Sequence, residues 1–193
     1  MHMKNSKEWL RPEEFQKILS LPDLPEKYEM WMLLMYTPAL RVSEAINVRV
    51  RDLDLKGACV EVYGGKGYDS TEMRKAPCDT RVLRRLKLYA DRYQLKSNDF
   101  IMFSRNSKQV HRCHVYKVVN KLAQQAGLDK RIGCHTFRRS RAEHLLDGGL
   151  PITFVSKYLR HKNLSTTMAY LDVSVADIQR EMEKIDDCIG NFV

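Results

Sequence analysis

The chain has 193 residues, 44% of them hydrophobic, which suits one domain with a real core, or one large domain with small appendages. Its 33 Lys and Arg against 24 Asp and Glu leave a formal charge of +9. That balance favours a polyanionic partner, nucleic acid or an anionic membrane surface, although a solvated basic surface would read the same way. The longest apolar stretch, Met30 to Leu40, reaches about half the length of a membrane span, and the polar start Met1-His2-Met3-Lys4-Asn5 does not read as a signal peptide.

Helical periodicity opens the chain. Pro12 to Ser20 reads as a first helix, with Pro in its first turn and Phe15, Ile18 and Leu19 on one face, and Pro22 and Pro25 break it. A strongly apolar helix is expected from Glu26 to Tyr36, closed by Thr37-Pro38, followed by a short one from Val42 to Val48. The period then shifts toward two. Ala58 to Tyr63 alternates like a strand, Gly64-Gly65-Lys66-Gly67 is a turn, and Thr71 to Pro77 returns as the second arm of a β-hairpin. Thr80 is expected to cap a helix carrying Leu83, Leu86 and Tyr89, and Asp99 to Phe103 reads as a short strand. A long helix follows through Val115, Val118, Val119, Leu122 and Ala126, ended by Gly127. The last third is helical throughout: Thr136 to Asp147, Ile152 to Leu159, Ser165 to Tyr170 and Val175 to about Cys188. The fold class expected is α+β, mostly helical with one small antiparallel β-sheet.

Five cysteines (Cys59, Cys78, Cys113, Cys134 and Cys188) are odd in number and scattered, a usage that suits reduced thiols in a cytosol. His111-Arg112-Cys113-His114 and Cys134-His135 lack the paired spacing of zinc ligands, so no metal site is expected.

The chemistry gathers in His135-Thr136-Phe137-Arg138, Leu159-Arg160-His161 and Thr166-Thr167-Met168-Ala169-Tyr170, with Arg41 far upstream in Leu40-Arg41-Val42-Ser43-Glu44. These residue types suit attack on a phosphodiester. Arginine keeps its charge and offers paired planar donors to the non-bridging oxygens, where negative charge develops. Histidine moves protons near neutrality, and nearby cations lower the cost of turning a tyrosine phenol into a nucleophile.

In these motifs the chain resembles the catalytic domain of the tyrosine recombinases, the phage-type integrases and Xer-like resolvases. The resemblance runs from about Trp9 to the C-terminus. It implies six catalytic residues: Arg41, Lys66, His135, Arg138, His161 and Tyr170. Tyr170 would be the nucleophile, Arg41 and Arg138 would hold the scissile phosphate, and His161 would donate to it. His135 would help move the tyrosine proton, and Lys66, in its glycine-flanked hairpin, would protonate the leaving 5′ oxygen, with Lys75 as the rival. Glu44 is implied as a supporting residue that pairs with an arginine or histidine and fixes its rotamer. Arg74, Lys75, Arg139, Arg141 and Arg160 are expected DNA contacts. The chemistry implied needs no cofactor and no metal.

The sequence departs from the family pattern in three places. Ala39 stands where relatives often have glycine before the first arginine, Arg160 where they have glycine before the second histidine, and Arg139 where they often have histidine. Residues 1–8 are expected to be an N-terminal tail or cloning remnant, 9–172 the catalytic domain, and 173–193 a C-terminal helix. That helix has an apolar face that would dock either on a neighbouring protomer or on its own domain. Relatives usually carry a further helical domain upstream that completes a clamp round the duplex, and its loss by trimming is the expectation here.

The function implied is a site-specific DNA recombinase that works through a 3′-phosphotyrosine intermediate, on double-stranded DNA and as a homo-oligomer, in a prokaryotic cytoplasm. The alternatives are a non-catalytic DNA-binding relative and a relaxing enzyme of the type IB topoisomerase kind.

Overall fold

The computed structural model of the protein describes residues 9–64, 71–104 and 108–161. Within them lie seven α-helices: α1 (Pro12–Leu19), α2 (Glu26–Tyr36), α3 (Val42–Ala45), α4 (Thr80–Arg92), α5 (Arg112–Gln125), α6 (Cys134–Asp147) and α7 (Ile152–Tyr158). One antiparallel sheet has the order β1-β2-β3, formed by β1 (Leu53–Asp54), β2 (Cys59–Tyr63) and β3 (Met73–Pro77). The α+β architecture is the one expected.

Helix α2 is the axis of the core. Met30 through Met35 are all buried, so that stretch of the helix is apolar all round and covered on every side, α4 and α6 being among its partners. The amphipathic helices close round it, α4 burying Leu83, Leu86 and Tyr89, and α5 burying Val115, Val118, Val119 and Leu122. Trp31, Tyr89 and Phe137 are the largest side chains sealed inside.

Four helix starts, those of α1, α3, α6 and the 3₁₀ turn at Val50–Asp52, share one device. An oxygen three residues into the turn accepts from the N–H of the residue before the helix. Glu14 does this for Arg11 at 2.7 Å, Glu44 for Arg41 at 2.9 Å, Asp52 for Arg49 at 2.8 Å and Thr136 for Gly133 at 3.0 Å.

Helix ends share another. Helices α4, α5, α6 and α7 each finish with the next residue but one in the left-handed region: Gln94 at φ 54°, Gly127 at φ 71°, Gly149 at φ 84° and Arg160 at φ 55°. At all four ends paired backbone hydrogen bonds close the turn, as in Leu128 N–H to Ala123 O at 3.0 Å and His161 N–H to Ser156 O at 3.1 Å.

The structure departs from the sequence reading in small ways. The 3₁₀ turn at Val50–Asp52 and strand β1 were not anticipated, because two residues give no readable period. Asp99 to Phe103 is not a strand; it contributes only single bridges, Arg49 to Phe100 and Phe103 to Gln109. Asp79, not Thr80, caps α4, its carboxylate accepting from Arg81 N–H at 2.8 Å. The expected helices at Ser165 to Tyr170 and Val175 to Cys188 lie outside the described residues.

Candidate active site

Three chain segments converge beside a small second apolar cluster of Ala39, Ala142, Val155 and Leu159. One is the turn from α2 into α3, which brings Arg41 and Glu44. Another is the first half of α6, which brings His135 and Arg138. The third is the C-terminus of α7, which brings Arg160 and His161.

Glu44 is the hub. Its side chain is 1% exposed, and its carboxylate receives Arg41 Nη1 at 2.8 Å and Arg160 Nη2 at 3.0 Å, with Arg74 Nη2 at 3.6 Å. Burial alone would push its pKa up, but the arginines Arg160, Arg41 and Arg138 together with the Arg41 N–H hold it below the usual carboxylate value. Four guanidiniums therefore surround a single carboxylate, leaving excess positive charge for an anion.

Arg138 is 3% exposed, and its guanidinium spans two turns: Nη1 donates to Ala39 O at 2.6 Å and Nη2 to Leu159 O. Arg41, at the start of α3, keeps a side chain 20% exposed. The histidines stand in the field of these cations. Burial first, then Arg138, Arg41 and Arg160, bring the His161 pKa down to about 4. At His135 burial first, then Arg138 and Arg41, also lower the pKa, with Glu44 opposing. Both imidazoles are thus neutral at pH ~7, each able to accept a proton at one nitrogen and donate from the other. An arriving phosphate would offset the arginine charge and raise both pKa values.

The structure brings Arg41, Glu44, His135, Arg138 and His161 together. Lys66 and Tyr170 lie outside the described residues. Arg74 and Lys75 occupy opposite faces of β3. Arg74 turns inward to Gly64 O and toward Glu44, while Lys75 is exposed and pairs in register with Glu61.

The arginines expected to contact DNA are placed differently from one another. Arg139 lies 3.9 Å from Glu143, one turn on along α6. Arg141 is sandwiched, its guanidinium 5.4 Å from the Tyr36 ring and 5.8 Å from that of Tyr158, with Nε at 3.4 Å from the Tyr158 hydroxyl. Tyr158 donates in turn to Thr37 O. Arg160 points inward, its side chain 6% exposed.

Two supports are visible only in the folded chain. One is the backbone carbonyl of Ala39, which accepts from both Arg138 and Arg160. The other is Tyr158 as a prop for the same turn. The residues weighed as metal ligands have other work: His111 Nδ1 accepts from Cys113 N–H at 3.3 Å, and His114 packs edge-on to Trp31.

Known proteins resemble this chain in sequence and in fold. The phage integrase family profile matches residues 8–176. A tyrosine recombinase of Pseudothermotoga lettingae is 34% identical over 166 residues, covering 86% of this chain and 56% of its own length. Tyrosine recombinase XerA of Thermococcus onnurineus is 32% identical over 178 residues, covering 91% of this chain and 61% of its own. The chain thus spans between half and two thirds of these relatives' length. Among solved structures, a XerA recombinase superposes with a TM-score of 0.78 at 20% identity, covering 95% of this chain and 66% of that one. A XerH site-specific recombinase bound to its difH substrate in a post-cleavage complex gives 0.72 at 22% identity, covering 92% and 52%. These likenesses fix the fold, and the profile across most of the chain fixes the kinship: the protein belongs to the phage integrase family, with the fold of a tyrosine recombinase catalytic domain.

Proposed function

We propose that this chain breaks and rejoins DNA strands at specific sites. Tyr170 attacks the scissile phosphate, displacing the 5′ oxygen and leaving a 3′-phosphotyrosine; attack by a 5′ hydroxyl from a partner strand reverses the step and releases the tyrosine. Arg41 and Arg138 stabilise charge on the non-bridging oxygens, His161 donates to the same phosphate, His135 assists the phenolic proton, and Lys66 protonates the leaving oxygen. The observation that carries this reading is the convergence of Arg41, Arg138, His135 and His161 on one electropositive spot around Glu44. The outward position of Lys75, on the opposite face of β3 from Arg74, favours Lys66 as the acid.

Strand exchange needs two duplexes, so the working form is a homo-oligomer assembled on double-stranded DNA, in a prokaryotic cytoplasm. Among the described residues no helix is long and apolar enough to cross a membrane.

A nicked suicide duplex carrying the cognate site tests the chemistry. The intact protein is expected to form a covalent protein–DNA adduct that disappears in Tyr170→Phe. An intact protein that yields no adduct on that site refutes the proposal and leaves the DNA-binding alternative. Exchange between two labelled duplexes, rather than loss of supercoils alone, separates recombination from relaxation.

A further inference from the structure

Arg160 occupies a backbone position that suits glycine and commits both terminal nitrogens of its guanidinium to the protein. It follows the C-cap of α7 at φ 55°, where L side chains are strained, and its N–H returns to Lys157 O at 2.9 Å. Ala39, in the turn that delivers Arg41, is a second non-glycine residue in the left-handed region, at φ 48°. The Arg160 guanidinium ties the two strained turns together. Nη1 donates to Pro38 O and Tyr158 O, each at 3.1 Å, and Nη2 donates to Ala39 O at 3.1 Å and to Glu44 Oε2 at 3.0 Å. Strained backbone of this kind persists where the surroundings over-determine it, and it collects at functional sites.

We propose that Arg160 is a positioning residue, a buckle that holds the turn before Arg41 against the C-terminus of α7 and so sets Arg41, Arg138 and His161 in register round one phosphate. Each arm of the site is one link from it. Arg138 shares the Ala39 carbonyl with it, Arg41 shares the Glu44 carboxylate, and His161 is its neighbour in the chain. A planar fork suits the task, because its donors lie at fixed angles toward three carbonyls and a carboxylate, which a lysine ammonium cannot match. This role differs from the DNA contact expected from sequence, since the head is buried rather than offered to the duplex. It rests on the reading of this cluster as a phosphodiester site.

The test uses the full chain and its Arg160→Gly and Arg160→Lys variants. Single-turnover adduct formation and duplex binding are measured on nicked duplexes from a randomised-sequence library. In parallel, the ring resonances of His161 and the Nε–H resonances of Arg41 and Arg138 are followed by NMR. The expected result is a cleavage rate lowered roughly tenfold to a hundredfold in Arg160→Gly at unchanged duplex affinity, because the loss is one of geometry and not of contact. Arg160→Lys should recover only part of it, and the His161 and Arg138 resonances should move in both variants. Cleavage within about twofold of the parent, or a loss confined to affinity, overturns the proposal. If Arg160→Gly does not fold, Arg160→Lys decides by the same criteria. If the parent chain forms no adduct on these duplexes, the buckle is judged by NMR: unmoved resonances in both variants overturn it, and moved ones support it.

Discussion

At the scale of the residue, Glu44 shows how one buried carboxylate can organise the cations round it. A buried carboxylate without partners would take up a proton; here Arg160, Arg41 and Arg138 keep it ionised, and in return it fixes where those cations stand. Removing one partner of such a buried set leaves uncompensated charge, at a cost of ~3–5 kcal/mol. The histidines carry the opposite sign. An unfolded histidine binds its proton near a pKa of ~6.5. Folded His161 does so only near 4, and His135 and His144 are lowered as well. Between those values the unfolded chain holds more protons, so stability is fully present above the ordinary histidine pKa and is lost as pH falls toward 4. The melting temperature is therefore expected to fall as pH drops from about 7 to about 5. The slope should be shallower in His161→Asn, and melting curves that show equal slopes would refute the assignment.

At the scale of the element, four helices end in the same left-handed turn, and the residue chosen at each end shows what the turn is for. Gly127 and Gly149 follow the steric preference. Gln94 and Arg160 do not. Gln94 is exposed and merely tolerates its φ of 54°, so Gln94→Gly is expected to stabilise the protein by ~1 kcal/mol, read as a higher denaturation midpoint with unchanged slope. Arg160 recovers its strain through four hydrogen bonds, so the same change there removes an anchor along with the strain. Most elements were legible in sequence for local reasons. Helix α2 has the predicted ends because prolines and charge bracket an apolar run, and the first hairpin strand alternates ahead of a glycine-rich turn. Strand β1 and the bridges at Phe100 and Phe103 were not, since only pairing with distant residues makes them extended.

At the scale of the whole molecule, the site hangs on the core through α6. Phe137 is fully buried and meets Phe15 edge to face at 5.8 Å, while its neighbour Arg138 reaches into the site from the same turn. Phe137→Ala should cost ~3–5 kcal/mol by denaturant unfolding, through lost burial and the cavity left behind. A loss below ~1 kcal/mol would show that α6 is not fixed by this contact.

The residue types and order of Arg41, Glu44, His135, Arg138 and His161 were determined by sequence alone, because each motif is local and its chemistry follows from side-chain type. The alternation that makes the hairpin and the apolar run that makes α2 are equally local. The tertiary structure alone decided which arginines turn their heads into the protein. Arg160 and Arg141 look like surface charges in a basic chain, yet one is drawn into the carbonyls of two left-handed turns and the other between two tyrosine rings. Side-chain direction at a helix end depends on the backbone turn and on acceptors more than a hundred residues away in sequence, and no local pattern encodes either.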